Sequence, residues 1–213
     1  MAVIHRTTMT PTKLELLTAW LPGRPWYRGG AAGVPELAKA GGFRLDDPAG
    51  EVGIELMVVT DGSGAEPVAY QVPVTYRGAP LAGAEAGLIG TSEHGVLGTR
   101  WIYDAAHDPV FVAQALALLD GRATAQDQNE SGVPAAGVVV HRPAALPTPT
   151  VPPAVTDTPE GTEVALTDHD SLTVLRHLTP HTHPTEHSPE VLAPHTLPDT
   201  TPITAQVLTL TRP

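Results

Sequence analysis

The chain of 213 residues carries 12 Lys and Arg against 23 Asp and Glu, a formal net charge of −11, which argues against the positive face that a nucleic-acid binder or a polybasic membrane anchor requires. It has no cysteine, so disulfide scaffolds, thiolate-ligated zinc and thiol catalysis are excluded. Apolar residues make up 41% of the chain, enough for one core, while 20 glycines and 23 prolines exceed ordinary usage and point to many turns.

Met1 to Arg6 lacks the long apolar run of a leader, and no stretch approaches the roughly 20 apolar residues of a membrane-spanning helix. The expected location is therefore cytoplasmic. Thr10-Pro11 predicts a helix start, a cap followed by proline at the first helical position. Leu14, Leu17 and Leu21 then fall on one face, with Leu16 and Trp20 widening it, until Pro22-Gly23 ends the helix. Phe43-Arg44-Leu45 predicts a short strand. Two longer strands follow with period-2 alternation, Val52, Ile54, Leu56 and Val58 on one, and Val68, Tyr70, Val72, Val74 and Tyr76 on the other. Asp61-Gly62-Ser63-Gly64 between them predicts an antiparallel hairpin. Leu97, Thr99, Trp101 and Tyr103 predict a further strand. Asp108-Pro109 then repeats the helix-start signal ahead of the stripe Val112, Ala115, Leu116 and Leu119, which Gly121 closes. Val138 to Val140 predicts one strand more. This order predicts an α+β fold, one antiparallel sheet covered by helices.

Composition shifts near residue 143. Residues 144–213 hold 12 of the 23 prolines and 6 of the 10 histidines but only 2 basic residues. The expected division is an α+β domain over 1–143, a proline-rich linker over 144–162, and an irregular extension over 163–213. That extension is rich in Pro, Thr and His, and carries one or two added strands: a hairpin either side of Asp168-His169-Asp170, and a strand from Ile203 to Leu210. Residues 179–202 read as irregular.

Motifs with chemistry are sparse. Gly62-Ser63-Gly64 lacks the third glycine and the lysine of a phosphate loop and reads as a turn. Asp46-Asp47 precedes Pro48 in a turn-forming run, and Asp108 beside His107 already serves as a helix cap. His181, His183 and His187, with Glu186, have imidazole spacing compatible with zinc or nickel. Pro180, Pro184 and Pro189 punctuate that run, however, so no helix or strand holds the ligands convergent; it reads as a solvated histidine-biased segment, and no metal is expected. Arg24, Trp26, Tyr27 and Arg28, close to Trp20, form an aromatic and basic group of the kind that contacts a sugar or a partner. The same residues also suit a packed indole and a loop anchor.

The run Leu14-Glu15-Leu16-Leu17-Thr18-Ala19-Trp20-Leu21-Pro22-Gly23-Arg24-Pro25-Trp26-Tyr27-Arg28-Gly29 resembles the opening of bacterial maltokinases. Ile89-Gly90, Gly98 and Tyr103-Asp104-Ala105-Ala106-His107-Asp108-Pro109 resemble the stretch that follows in those enzymes, and Val112 to Leu119 resembles the leucine-rich helix after it. The resemblance covers about residues 1–125. It implies the maltokinase N-terminal cap domain, with a cystatin-like fold in which a curved antiparallel sheet wraps a helix. Full maltokinases transfer phosphate from ATP to maltose in an actinobacterial trehalose-to-glycogen pathway. This sequence has no His-Gly-Asp catalytic loop and no Asp-Phe-Gly equivalent. Leu172 to Leu178 faintly resembles a kinase small-lobe strand, yet no lysine follows Lys39 to pair with a nucleotide phosphate. The chain is therefore expected to be a non-catalytic binding or regulatory module without a cofactor. Its expected partner is a protein of maltose-1-phosphate, trehalose or α-glucan metabolism, with direct binding of a sugar or nucleotide and an inactive kinase remnant as the alternatives.

Overall fold

The computed structural model describes residues 7–29, 33–142, 145–149, 154–181 and 189–211. In chain order these form strand β1 (Met9–Thr10), helix α1 (Lys13–Trp20), a 3-10 turn (Leu21–Gly23), β2 (Leu37–Asp46), β3 (Gly53–Asp61), β4 (Val68–Arg77), β5 (Leu88–His94), β6 (Gly98–Asp104), α2 (Pro109–Asp120), β7 (Val139–His141), β8 (Val155–Asp157), β9 (Gly161–Ala165), β10 (Ser171–Leu175), β11 (His177–Leu178), β12 (Glu190–Thr196) and β13 (Pro202–Thr211).

Both helices stand where the apolar periodicity places them. The cap of α1 is Thr12, not Thr10: the Thr12 hydroxyl accepts the Glu15 amide at 3.2 Å, and the Glu15 carboxylate accepts the Thr12 amide at 2.7 Å. This reciprocal pair satisfies two end donors at once. Asp108 caps α2 ahead of Pro109, and Gly121 closes the helix with a left-handed φ of +76°, which glycine adopts without steric cost.

The hairpin β3–β4 forms as the alternation predicts, in antiparallel register from Gly53↔Tyr76 to Asp61↔Val68. The apolar faces of its two strands look in opposite directions. Ile54, Leu56 and Val58 join Phe43, Leu45 and the α2 residues Phe111, Val112, Ala115 and Leu119 in the larger core. Tyr70, Val72 and Val74 join Met57 and Val59 beneath Leu17 and Leu21 in the smaller one. The centre of the sheet is therefore buried on both faces.

The expected α+β fold, a cystatin-like sheet packed on helices, is corrected. The described residues form one antiparallel sheet of 13 strands, in the order β1-β5-β6-β4-β3-β2-β12-β13-β10-β9-β8, with β11 on β4 and β7 on β12. Among the described residues, two short α-helices accompany it. The chain after residue 143 supplies six strands, β8 to β13, where one or two were expected, and those strands take over much of the covering that helices were expected to provide. Val164, Leu172, Val174, Val191, Ala205 and Leu208 lie in the same core as Phe43 and Phe111. β8 lies inside the 144–162 span, and every later strand is hydrogen-bonded into the same sheet.

The pairings close a ring. β4, β3, β2, β12, β13 and β10 follow one another. β11, one residue beyond β10, returns to β4 through His177↔Tyr70 and Leu178↔Ala69. One seam is this short ladder, reinforced by the Gln71 amide donating to the Arg176 carbonyl at 2.9 Å. The other is the single pair His195↔Gly41. A Cβ at Gly41, whose φ is +146°, would stand 3.2 Å from the His195 Cα and from the Pro194 carbonyl oxygen, so close approach of the two backbones selects glycine there.

Candidate functional site

After the 3-10 turn the chain crosses the α1-side face of the sheet and delivers Arg24, Trp26, Tyr27 and Arg28, and the structure brings these four together. Trp26 is fully buried. Its ring lies 5.8 Å from that of Trp20 and 6.2 Å from that of Tyr70, at tilted angles that suit aromatic quadrupoles. Tyr27 lies 5.4 Å from Tyr70. The Arg24 guanidinium covers Trp20 at 4.8 Å, and that of Arg176, from the extension, covers Trp26 at 4.9 Å, both within cation–π reach.

Most of the polar contacts of this segment serve the fold, while Arg24 Nε is buried without a hydrogen-bond partner among the described residues. The Trp26 indole N–H donates to Asp157 at 3.3 Å, and Arg24 stands 3.9 Å from the same carboxylate. Asp157 also accepts the Thr162 hydroxyl at 2.6 Å. The Arg28 amide donates to the Tyr70 hydroxyl at 3.0 Å, and the exposed Arg28 guanidinium lies 3.3 Å from Nδ1 of His177. Burial, then the Arg28 charge, lower the pKa of His177, which favours the neutral ring that can accept this contact. Tyr27 donates to Asp61 at 2.6 Å. Burial pushes Asp61 up, but the Tyr27 hydroxyl and the Ser63 and Glu36 amides outweigh it, and the carboxyl ends below its ordinary value. Burial and the same carboxylate drive the Tyr27 phenol well above its own. Three of the four residues thus meet Asp157, Arg176 or His177, so their partner in this structure is the chain's own extension.

Beneath them lies an ion pair that the sequence reading missed. Arg176 is fully buried and holds both oxygens of buried Asp104, at 2.7 and 2.6 Å, while its Nε donates to Thr162 at 2.8 Å. Both contacts to Asp104 come from Nη2, and these charge-assisted bonds hold the buried guanidinium although its Nη1 has no hydrogen-bond partner among the described residues. A second pair, Arg77 to Asp108 at 2.7 Å twice, fixes the cap of α2. A third group surrounds buried Glu55, which accepts Lys13 at 2.5 Å, Tyr76 at 2.7 Å and Gln128 at 3.2 Å, with Lys39 at 4.0 Å. Burial raises Glu55, Lys13 chiefly lowers it, and the net effect is an ionised carboxylate.

The remaining candidates fall into structural roles or outside the described residues. Ser63 closes a turn onto Asp61 at 2.9 Å. Asp47 braces its loop by accepting the Ala49, Glu51 and Val52 amides at 2.9–3.0 Å. His181 stands 3.8 Å from Glu190, a buried carboxylate that also meets His141 at 3.1 Å and Gln206 at 2.7 Å. His183, Glu186 and His187 lie outside the described residues. Among the described residues, no group of three or more His, Asp and Glu side chains is arranged to hold a metal ion, and no helix is long and apolar enough to cross a membrane.

Comparison with known families bears out the resemblance read from the first half of the sequence. Residues 20–108 match the family model of the maltokinase N-terminal cap domain, so the stretch from Trp20 to Asp108, which carries the 24–28 segment and strands β2 to β6, is similar to that family.

Proposed function

We propose that the chain is a cap-like binding module, without catalysis of its own, that serves a cytoplasmic protein of maltose-1-phosphate and α-glucan metabolism. The family match over residues 20–108 supports the metabolic setting. The observation that carries the binding role is the outer side of β5. Strand β1 reaches only Glu93 and His94, so Leu88 to Ser92 have no strand partner on that side among the described residues. Leu88, Val96 and Leu97, on β5 and the hairpin that follows it, are exposed apolar side chains. An open edge flanked by apolar side chains is the arrangement by which an extended segment of a partner adds to a sheet. The 24–28 segment, engaged by the extension, offers less to a free sugar.

The test is recovery of partners from native extract on immobilised full-length protein, beside a Val96→Asp/Leu97→Asp variant, with a parallel assay of phosphate transfer from ATP to maltose. The expected result is an enzyme of α-glucan or trehalose metabolism on the parent protein, its loss on the variant, and no transfer. Phosphorylation of maltose by the purified chain, or equal recovery on both proteins, would overturn the reading.

A further inference from the structure

Lys13 and Lys39 are the only lysines in a chain of net charge −11, and both converge on one carboxylate. Lys13 opens α1 and Lys39 stands on β2, yet their ammonium groups lie 2.5 and 4.0 Å from Glu55 on β3. Arg44 joins them, directly across the β2–β3 ladder from Glu55, and its charge acts on the Tyr76 phenol, whose hydroxyl donates to Glu55 at 2.7 Å. Arg44 makes no ion pair among the described residues. The Gln128 amide completes the group at 3.2 Å from Glu55.

One buried carboxylate is neutralised by one cation, and here Lys13 and Lys39 both approach it while Arg44 stands across the ladder from it. The three cations together exceed the charge of Glu55 by two, and the group reaches water, Lys13 being 35% and Lys39 42% exposed. Like charges gathered about one carboxylate repel, and a surplus of positive charge favours the approach of an anion. The strand geometry holds them there. The β2–β3 register shifts between Lys39 and Gly41, and Gly42, having no Cβ, leaves the space that the Gln128 amide fills on its way to Glu55. Beside the charges, Lys13 and Tyr76 also form one end of a narrow cleft between α1 and the sheet, whose walls include Leu16, Met57 and Ile89.

We propose that Lys13, Lys39 and Arg44 form a binding site for a phosphate monoester, with Glu55 and Gln128 holding the cations in place. A doubly charged phosphate matches the surplus of two, and its oxygens suit ammonium and guanidinium donors. This inference rests on the cationic corner alone and is independent of partner binding at β5.

The full-length protein is titrated calorimetrically at constant ionic strength with inorganic phosphate, glucose 1-phosphate and AMP, then again as Lys39→Gln and as Arg44→Gln. Lys13 at 2.5 Å keeps Glu55 paired in both variants, and thermal unfolding without ligand checks that each variant is folded. The expected result is saturable binding of at least one probe, weakened about fivefold or more by each substitution, on the scale of one lost charge-assisted contact. The tightest of the three probes then identifies the source as free phosphate, a sugar phosphate or a nucleotide. Absence of saturable binding of all three overturns the proposal. So does binding that both variants leave unchanged, since that is an adventitious ion only.

Discussion

His195 sits at the narrower seam of the ring, buried, with neither ring nitrogen hydrogen-bonded among the described residues. Burial lowers its pKa below the ordinary 6.5, and His177 at the other seam is lowered in the same direction. In both cases the unfolded chain binds a proton more readily than the folded one. The stability that the neutral rings support is complete above 6.5 and declines as the pH falls below that value towards each lowered folded-state pKa. Urea unfolding followed from pH 7.5 to 5.5 is expected to show this decline, and His195→Leu to flatten it in part; an unchanged slope in the variant would exclude His195 as a source. Glu55 and Asp61, with lowered values, add a separate loss only as the pH falls below the carboxylate range. At this scale the sequence was legible where the chemistry was local. Arg24, Trp26, Tyr27 and Arg28 were identifiable by type and spacing, and the structure gathers them. Their partners Asp157, Arg176 and His177 follow more than 120 residues later, and no local pattern marks an arginine as buried.

Gly42 shows how one strand depends on a residue without a side chain. Its φ is +124°, and a Cβ there would collide with the Leu56 carbonyl oxygen and stand 2.7 Å from Nε2 of Gln128. Gly42→Ala is expected to cost about 2–4 kcal/mol, the strain of a left-handed alanine added to disrupted β2–β3 pairing. Gly50→Ala is expected to cost about 1 kcal/mol, since φ is +72° there but nothing lies within 4 Å of the added carbon. Chemical denaturation of the two variants side by side checks the difference, and equal losses would remove the steric part of the argument. The same glycines explain part of the gap between sequence and structure. The Gly41-Gly42 pair conceals a strand of ten residues around the three that alternation reveals, and Gly90 interrupts the pattern of β5. Pro189, Pro194, Pro198 and Pro202 make the segment around β12 read as irregular, although Pro194 is accommodated within it. The hairpin β3–β4 and helix α2 were legible because their turns and caps lie next to the apolar pattern they bound.

For the whole molecule, the ring makes the extension part of the same cooperative unit as the cap. Phe43, Ile54, Leu56 and Phe111 share a core with Leu172, Val174, Ala205 and Leu208, and buried Asp104 has its counter-charge in Arg176. Separation at residue 143 would expose one side of that core and strand a buried carboxylate, a loss of about 3–5 kcal/mol for the ion pair alone. A 1–143 fragment is therefore expected to lose cooperative thermal unfolding and to bind a hydrophobic dye. A fragment that melts sharply without binding dye would show that the cap folds alone. The division drawn from composition rested on proline and charge, which report local stiffness and solvation. Pairing between strands 100 or more residues apart leaves no mark on either.

Closure of the ring late in the chain sets the order of events during synthesis. β3 and β4 can pair as soon as both have emerged, but β2 meets its other neighbour only when β12 has been made, and β11 cannot reach β4 before residue 177. At ordinary elongation rates of about 5–20 residues per second, the gap between residue 77 and residue 211 corresponds to roughly 7–27 seconds. Through that interval the nascent cap presents two unpaired strand edges and half a core. The chain is thus a candidate client for trigger-type chaperones at the ribosome, and slow translation between β6 and β13 should lower its soluble yield.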